Sequence, residues 1–282
     1  MTPLEPGAPP PVLADEKAAP PSLPWRIRSM LRSTMAVTEM DFRKLRHDPI
    51  ELLTRAIQPT LWLVIFGQVF ARTRAIPSGN LPYLDFMAPG ILAQSVLFIA
   101  IFYGIGVIWE RDLGLVHKLL ATPAPRASLV AGKGLAAGGR ALSQAVFIYV
   151  LAWLLGVRVN WNPLAMAGTA ITVIIGAAVF STFSLVVACI VKTRERFMGI
   201  GQVLTMPLFF ASNAIYPISI MPAWLRVVAH FNPLTYQVDA IRSLMVQGGS
   251  SAYGLAVDWG AMCLILILLT AIGARLYRGL AR

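Results

Sequence analysis

The chain has 282 residues, of which 57% are hydrophobic and only 13% are charged, about half the charged share of a soluble domain. With a mean hydropathy of +0.67, it is excluded from disordered, fibrous and ordinary soluble classes and points to an integral membrane protein. Six spans of ~20 residues would take ~120 residues and leave no room for a sizeable soluble catalytic domain. The net charge of +11, from 24 Lys and Arg against 13 Asp and Glu, is read by position, because basic residues collect on the cytoplasmic side of membrane proteins. It is not read as a nucleic-acid footprint.

Residues 1–24 hold eight prolines and nothing to bury, the composition of a disordered tail. In residues 25–47, Trp25, Ile27, Met30, Leu31, Met35, Val37, Met40 and Phe42 alternate with Arg26, Arg28, Arg32, Arg43, Lys44 and Arg46. That segment is too charged to cross and suits an amphipathic helix lying in the interface. Residues 48–282 form the membrane domain, predicted as all-α with six transmembrane helices.

The first span runs from Glu51 to Phe70, with Arg55 one turn inside its end and Pro59 placed to bend it. The second is free of charge from Phe86 to Trp109, with Pro89 and Gly90 near its outer end. The third runs from Leu129 to Val157, and Lys133 and Arg140 in its first half suggest an interfacial start. The fourth draws on the uncharged run from Val159 to Val191, with Pro163 near its start. The fifth draws on Phe197 to Leu225, where Pro207 and Pro217 place the helix end near Tyr216. The sixth is Leu255 to Leu276, with Asp258 near the outer face.

With the N-terminus inside, 18 Lys and Arg fall on cytoplasmic segments and five (Arg72, Arg74, Arg158, Arg226, Arg242) outside. This bias orients both termini to the cytoplasm.

No hydrolytic or redox constellation is visible. His47, His117 and His230 are far apart, and Cys189 and Cys263 lie in apolar runs, so neither a metal cluster nor a disulfide framework is expected. No phosphate-binding G-x-x-x-x-G-K-[S/T] loop occurs, and the glycines from Gly132 to Gly139 read as small residues for close helix packing. No acid lies between Asp112 and Glu195, which counts against a proton-driven carrier.

Two connecting segments carry the remaining information. The inner one, WERDLGLVHKLLATPAPR from Trp109 to Arg126, sets Glu110, Arg111 and Asp112 at a membrane exit. A short apolar face of Leu113, Val116, Leu119 and Leu120 follows, ended by Thr122, Pro123 and Pro125. Such a helix fits a groove on a soluble partner or simply lies in the interface. At the start of that helix, Glu110 and Asp112 would be favoured by its dipole and available to arginines of a partner. The outer segment, Pro217 to Gln247, is too polar for a simple span. It reads as two short helices joined at Asn232–Pro233, capped by Asn232 or Thr235, that re-enter or rest on the outer leaflet.

These segments resemble the membrane subunits of the ABC-2 type exporter permeases, a family that includes drug-resistance, polysaccharide and lipo-oligosaccharide exporters. NPLTYQVDAIR matches the family's C-terminal signature with Asn232, Pro233, Leu234, Tyr236 and Arg242. ERDLGLVHKLLATPAPR resembles its coupling region, with Glu110, Gly114, Leu119, Leu120, Thr122, Pro123 and Arg126 in the expected places. PLFFASNAIYP, from Pro207 to Pro217, resembles its fifth helix. His117 departs from the acid of many relatives.

The resemblance implies a non-catalytic transport subunit in the cytoplasmic (inner) membrane, paired as a homodimer with two copies of a separate P-loop ATPase. It would hold no cofactor itself and use ATP through that partner. Phe66, Phe70, Phe98, Phe102 and Tyr103 are candidate lining residues for an amphiphile's path, and equally candidates for helix packing. A secondary carrier and a non-transporting scaffold are the competing readings. The charge asymmetry makes one prediction: single cysteines at Ser78, Asn160 and Ser250 react with an impermeant thiol reagent in intact cells. Reaction only after permeabilisation would invert the topology.

Overall fold

The computed structural model describes residue 35 and residues 57–73, 76–79, 81–113, 126–191 and 193–276. The expected disordered tail, interfacial helix and most of the inner connecting segment lie outside the described residues.

Those residues form helices joined by short connections. Helix α1 spans 57–73 and runs through Pro59. From Trp62 to Gly67 it winds as a π-helix before Gln68–Thr73 resumes the α-helix, so the wider turn re-aims its aromatic side chains. Then follow α2 (Tyr83–Asp112), α3 (Arg126–Leu154), α4 (Pro163–Val191) and α5 (Arg194–Phe210). Next come a 3₁₀ turn (Ile218–Ile220), α6 (Ala223–Phe231) and α7 (Pro233–Met245), which lie at the end of the bundle that the charge bias assigns to the outside, and α8 (Leu255–Leu276) completes the order. Among the described residues four helices, α2, α3, α4 and α8, are long and apolar enough to cross a membrane.

The uncharged α4 is the centre of the bundle and packs against α2, α3, α7 and α8. Its buried residues are small or hydroxylated along much of its length: Gly168, Thr169, Thr172, Gly176, Ala177, Ala178, Ser181 and Ser184. Without a hydrophobic drive between helices in lipid, close approach of backbones supplies the packing energy. A Cβ on Gly134 would lie 3.3 Å from that of Ala178, and one on Gly138 would lie 3.1 Å from Ile174. The glycines of the third span therefore serve helix packing, as their composition suggested.

Hydroxyls in the bundle turn inward to backbone carbonyls or to each other. Thr172 Oγ1 donates to Gly168 O at 2.9 Å and accepts from Trp259 Nε1 of α8 at 2.9 Å. Tyr149 and Thr169 join α3 to α4 at 2.9 Å.

Helix α5 ends at Phe210, not near Tyr216 as the sequence suggested. At ~1.5 Å per residue its 17 residues reach only ~25 Å, short of a ~30 Å hydrocarbon core. From Ala211 to Tyr216 the chain turns irregularly, and Ala211, Ser212, Asn213, Ala214 and Ile215 are nonetheless buried. Gly90 of α2 lies directly on this turn: a Cβ there would fall 2.2 Å from Ala214 O and 2.7 Å from Ala214 Cα.

The last helix is loosely held. Only Asp258, Met262 and Gly273 of α8 are buried; Leu264, Ile267, Leu268 and Ile272 face outward, while Trp259, Ile265, Leu266 and Leu269 pack half-buried on the core.

The contact at Gly90 predicts that Gly90→Ala costs about 1–3 kcal/mol by overpacking, since the obstacle is backbone that cannot rotate away. Gly106 of the same helix has open space around it, so Gly106→Ala stabilises by about 0.5–1 kcal/mol through helix propensity. Thermal unfolding of both variants in detergent checks the opposite signs.

Candidate functional site: the two ends of the bundle

At the inner end, α2 is tied to two other helices. Lys133 of α3 reaches Glu110 with Nζ to Oε2 at 2.7 Å, and both side chains are buried. Asp112 accepts from Arg194 of α5 at 2.8 Å from Nη2 and 3.1 Å from Nε, a half-exposed pair. The Arg194 guanidinium also lies 4.0 Å from the ring centre of Trp109, a cation–π stack.

Glu110 is thus in the last turn of α2 and faces α3, whereas the sequence had set it in the first turn of a separate short helix. The uncharged run before it simply continues as helix until the acids are reached. Lys133 and Arg140 both stand over the ring of Tyr103, at 5.8 and 5.3 Å. The cations inside the third span therefore face α2 and not lipid. Arg111 lies in the last turn of α2 and Arg126 opens α3. Gly114, Leu119, Leu120, Thr122 and Pro123 lie outside the described residues.

At the outer end, the sequence NPLTYQVDAIR builds a clamp. Pro233 starts α7, and Asn232 caps it by accepting from Leu234 N at 3.0 Å. Of the two expected caps it is Asn232 that acts, and Thr235 is buried inside the helix. The Asn232 amide also donates to Leu208 O at 2.6 Å and Ala211 O at 3.1 Å. One side chain thus caps the start of α7 and the end of α5, which explains why α5 stops where it does.

Arg242, buried on the inward face of α7, donates from Nη2 to Asn213 O at 2.7 Å and from Nε to Phe86 O at 3.3 Å. Its guanidinium lies 3.9 Å from the Phe86 ring centre. Tyr83 donates its hydroxyl to Ile215 O at 3.2 Å, and Tyr236 donates to His230 O at 2.7 Å. Leu234 is fully buried below the turn.

Further bonds close the outer rim. Arg158 Nε donates to Asp85 Oδ2 at 2.8 Å. Residues 158–160 run beside the end of α7, with Asn160 N bonded to Met245 O and Gln247 N to Arg158 O, both at 2.8 Å. Asp239 accepts from Ala252 N (2.7 Å) and Tyr253 N (3.1 Å). The Ser251 hydroxyl sits 2.9 Å from both Asp239 and Asp258. Asp258 lies in the first turn of α8 and is completely buried. Burial pushes the Tyr253 phenol, in the connection before α8, above its ordinary value, with nearby Tyr236, Asp239 and Asp258 acting the same way.

The aromatic candidates separate into groups. Phe66 and Phe70 belong to a ladder along α1: Trp62–Phe66 at 4.6 Å, Phe66–Phe70 at 6.3 Å and Phe70–Tyr83 at 5.8 Å between ring centres. Trp62 extends it to Phe209 and Phe210 at the end of α5. Phe98 and Phe102 stack on one another at 6.2 Å along α2, and Phe102 approaches α5 at Gly201. Tyr103 turns away from these, toward α3. Among the described residues no three His, Cys, Asp or Glu side chains stand together as metal ligands.

The Lys133–Glu110, Asp112–Arg194 and Asp85–Arg158 pairs were not found by sequence reasoning. The available signal was a charged residue inside an apolar helix, which requires a partner. A prediction follows from the buried pair. Lys133→Ala removes one partner of this buried ion pair and costs about 3–5 kcal/mol, whereas Lys133→Met with Glu110→Leu recovers most of that loss. Heat denaturation of single and double variants, analysed as a mutant cycle, checks it.

Residues 32–246 match the model of the ABC-2 type transporter family. The proposed transport permease ycf38 of Cyanophora paradoxa is 28% identical over 247 residues, covering 84% of each chain. The daunorubicin resistance ABC transporter permease protein DrrB1 of Streptomyces coeruleorubidus is 26% identical over 203 residues, covering 71% of this chain and 70% of that one. Nodulation protein J of Rhizobium leguminosarum bv. viciae is 26% identical over 198 residues, covering 70% and 74%. The chain belongs to the ABC-2 type transporter family, as a multi-pass membrane permease component of an ABC transporter, a transport subunit and not itself an enzyme.

Proposed function

We propose that this permease exports an amphiphile from the cytoplasm or the inner leaflet, working as a homodimer of six-span subunits with both termini in the cytoplasm. Each dimer engages two copies of a separate P-loop ATPase. Helix α1, and α5 completed by the buried turn after Phe210, supply the fifth and sixth crossings. Helices α6 and α7 rest on or re-enter the outer leaflet, where Trp224, Val227, Val228 and Phe231 give α6 an exposed apolar stripe at helical spacing.

The observation that carries this reading is the fastening of the inner end of α2. Directly before the proline-ended segment Gly114–Arg126, α2 is fixed to α3 by Glu110–Lys133 and to α5 by Asp112–Arg194–Trp109. A partner pushing on that segment would move three helices as one body. Docking belongs to Leu119 and Leu120, with Gly114, Thr122, Pro123 and Arg126 shaping the segment around them. Arg111 and Asp112 sit at its root. Glu110 stiffens the joint from within through Lys133.

An amphiphilic cargo fits the aromatic ladder of Phe66 and Phe70 and the Phe98–Phe102 pair, which border α5 from two sides. Relatives are named for daunorubicin resistance and for nodulation, and an amphiphilic cargo is the class we carry over from the first of these.

Purification from native membranes should bring down an ATPase, with a mass of two permeases plus two ATPases. Leu119→Asp with Leu120→Asp should detach the ATPase while permease pairing persists. Glu110→Gln should lower ATP-dependent export into inverted vesicles, scored against an amphiphile panel, more than it lowers ATPase binding. A lone permease, or normal export by both variants, would overturn the proposal.

A further inference from the structure

The outer clamp joins parts that the chain separates by more than a hundred residues. Arg242 bonds Phe86 O of α2 and Asn213 O of the irregular turn with two different nitrogens of one guanidinium. Its plane lies on the Phe86 ring, and the side chain is only 6% exposed. Seven residues along α2 from Tyr83, Gly90 rests on Ala214 of the same turn. The inner end of α2 is held by Glu110–Lys133 and Asp112–Arg194. One continuous helix, running through Pro89 between Phe86 and Gly90, therefore connects the inner fastening to the outer turn, and Arg242 is the side chain that ties that turn and α7 to it.

Resting on the permease function proposed above, we propose that Arg242 is a positioning residue that transmits motion of α2 to the outer helices α6 and α7. Asn232 holds the end of α5 in the same unit. The role depends on the planar fork of the guanidinium and not on its charge alone. A lysine ammonium is a single point donor that cannot hold two carbonyls in a fixed plane or stack on Phe86 in the same way. Cargo contact is not part of this role. When α2 tilts at its inner end, the joint carries the outer turn, and with it α7 and α6, by the same displacement. With the joint broken, α2 moves alone.

The test uses the full permease–ATPase complex in lipid nanodiscs. A single cysteine replaces Ile220, which is exposed in the 3₁₀ turn before α6. The background carries Cys263→Ser, because Cys263 is exposed and Cys189 is buried. A bimane probe on that cysteine is read in the nucleotide-free and the vanadate-trapped states.

The parent complex should change its emission on trapping. Arg242→Lys should lose that change while hydrolysing ATP at the parent rate. Phe86→Leu, which keeps the charge and most of the bulk, should reduce the change, and it carries the same prediction if the lysine variant does not assemble. An unchanged response in both variants overturns the proposal, as does a parent that hydrolyses ATP with no outer response. Parallel loss of ATP hydrolysis and the optical change also overturns it, because that marks a structural role only. Failure of any ATPase to co-purify with the parent chain would instead sink the permease–ATPase reading, and it is scored before the probe is read.

Discussion

Backbone carbonyls that leave a helix in a place without water must find another donor, and the rest of this molecule is arranged around one such place. The turn from Ala211 to Tyr216 is irregular and mostly buried. An unpaired carbonyl in such surroundings costs several kcal/mol. Leu208, Ala211, Asn213 and Ile215 each present a carbonyl to a side chain from elsewhere: Asn232, Asn232 again, Arg242 and Tyr83. The sequence that begins α7 is therefore as much the terminus of α5 as it is a helix start. The two outer helices are where they are because the broken helix needs their donors.

The same constraint gives α2 its place. It supplies Tyr83 and the Phe86 platform at one end and Glu110 and Asp112 at the other, and between them it approaches α4 closely enough for Ser184 Oγ to donate to Ile101 O. A Cβ on Gly104 would clash with Ser184 and Phe197 at that crossing. Small side chains in the middle and polar ties at both ends make α2 and α4 a common spine. By contrast, α1 meets the bundle mainly through α2 and through its aromatic ladder. Its π-helical turn lies in that ladder.

Much of this was readable from the chain. Uncharged runs mark helices because any ionised group in lipid must be compensated locally, and the runs from Phe86 and Val159, like the apolar stretch Leu255–Leu276 with its single acid near the start, each fall on a long helix. Asn232–Pro233 was readable because a cap and a first-turn proline are local chemistry, decided within four residues. What was not readable depends on residues far away in sequence. Phe210 ends a helix because an amide 22 positions later takes its carbonyls, while Pro207, the local breaker, sits inside the helix without ending it. Glu110 looked like a free acid at a membrane exit, since nothing nearby in sequence shows that Lys133 faces it across two helices. Asp258 was readable as an acid near one end of the last helix, but its burial comes from Ser251 and the turn before α8, which the local sequence does not show.

The weak burial of α8 has a consequence for how the chain is assembled. A helix whose aliphatic side chains mostly face outward is stable in lipid by itself and gains little on joining the others. Its polar attachments, Trp259 to Thr172 and Asp258 to Ser251, lie within its first turns, and Ile265, Leu266 and Leu269 pack on the core further along. Its polar fastening therefore forms only where the 248–254 connection closes over Asp239. An insertion defect in this helix would leave the preceding bundle formed but without its outer fastening.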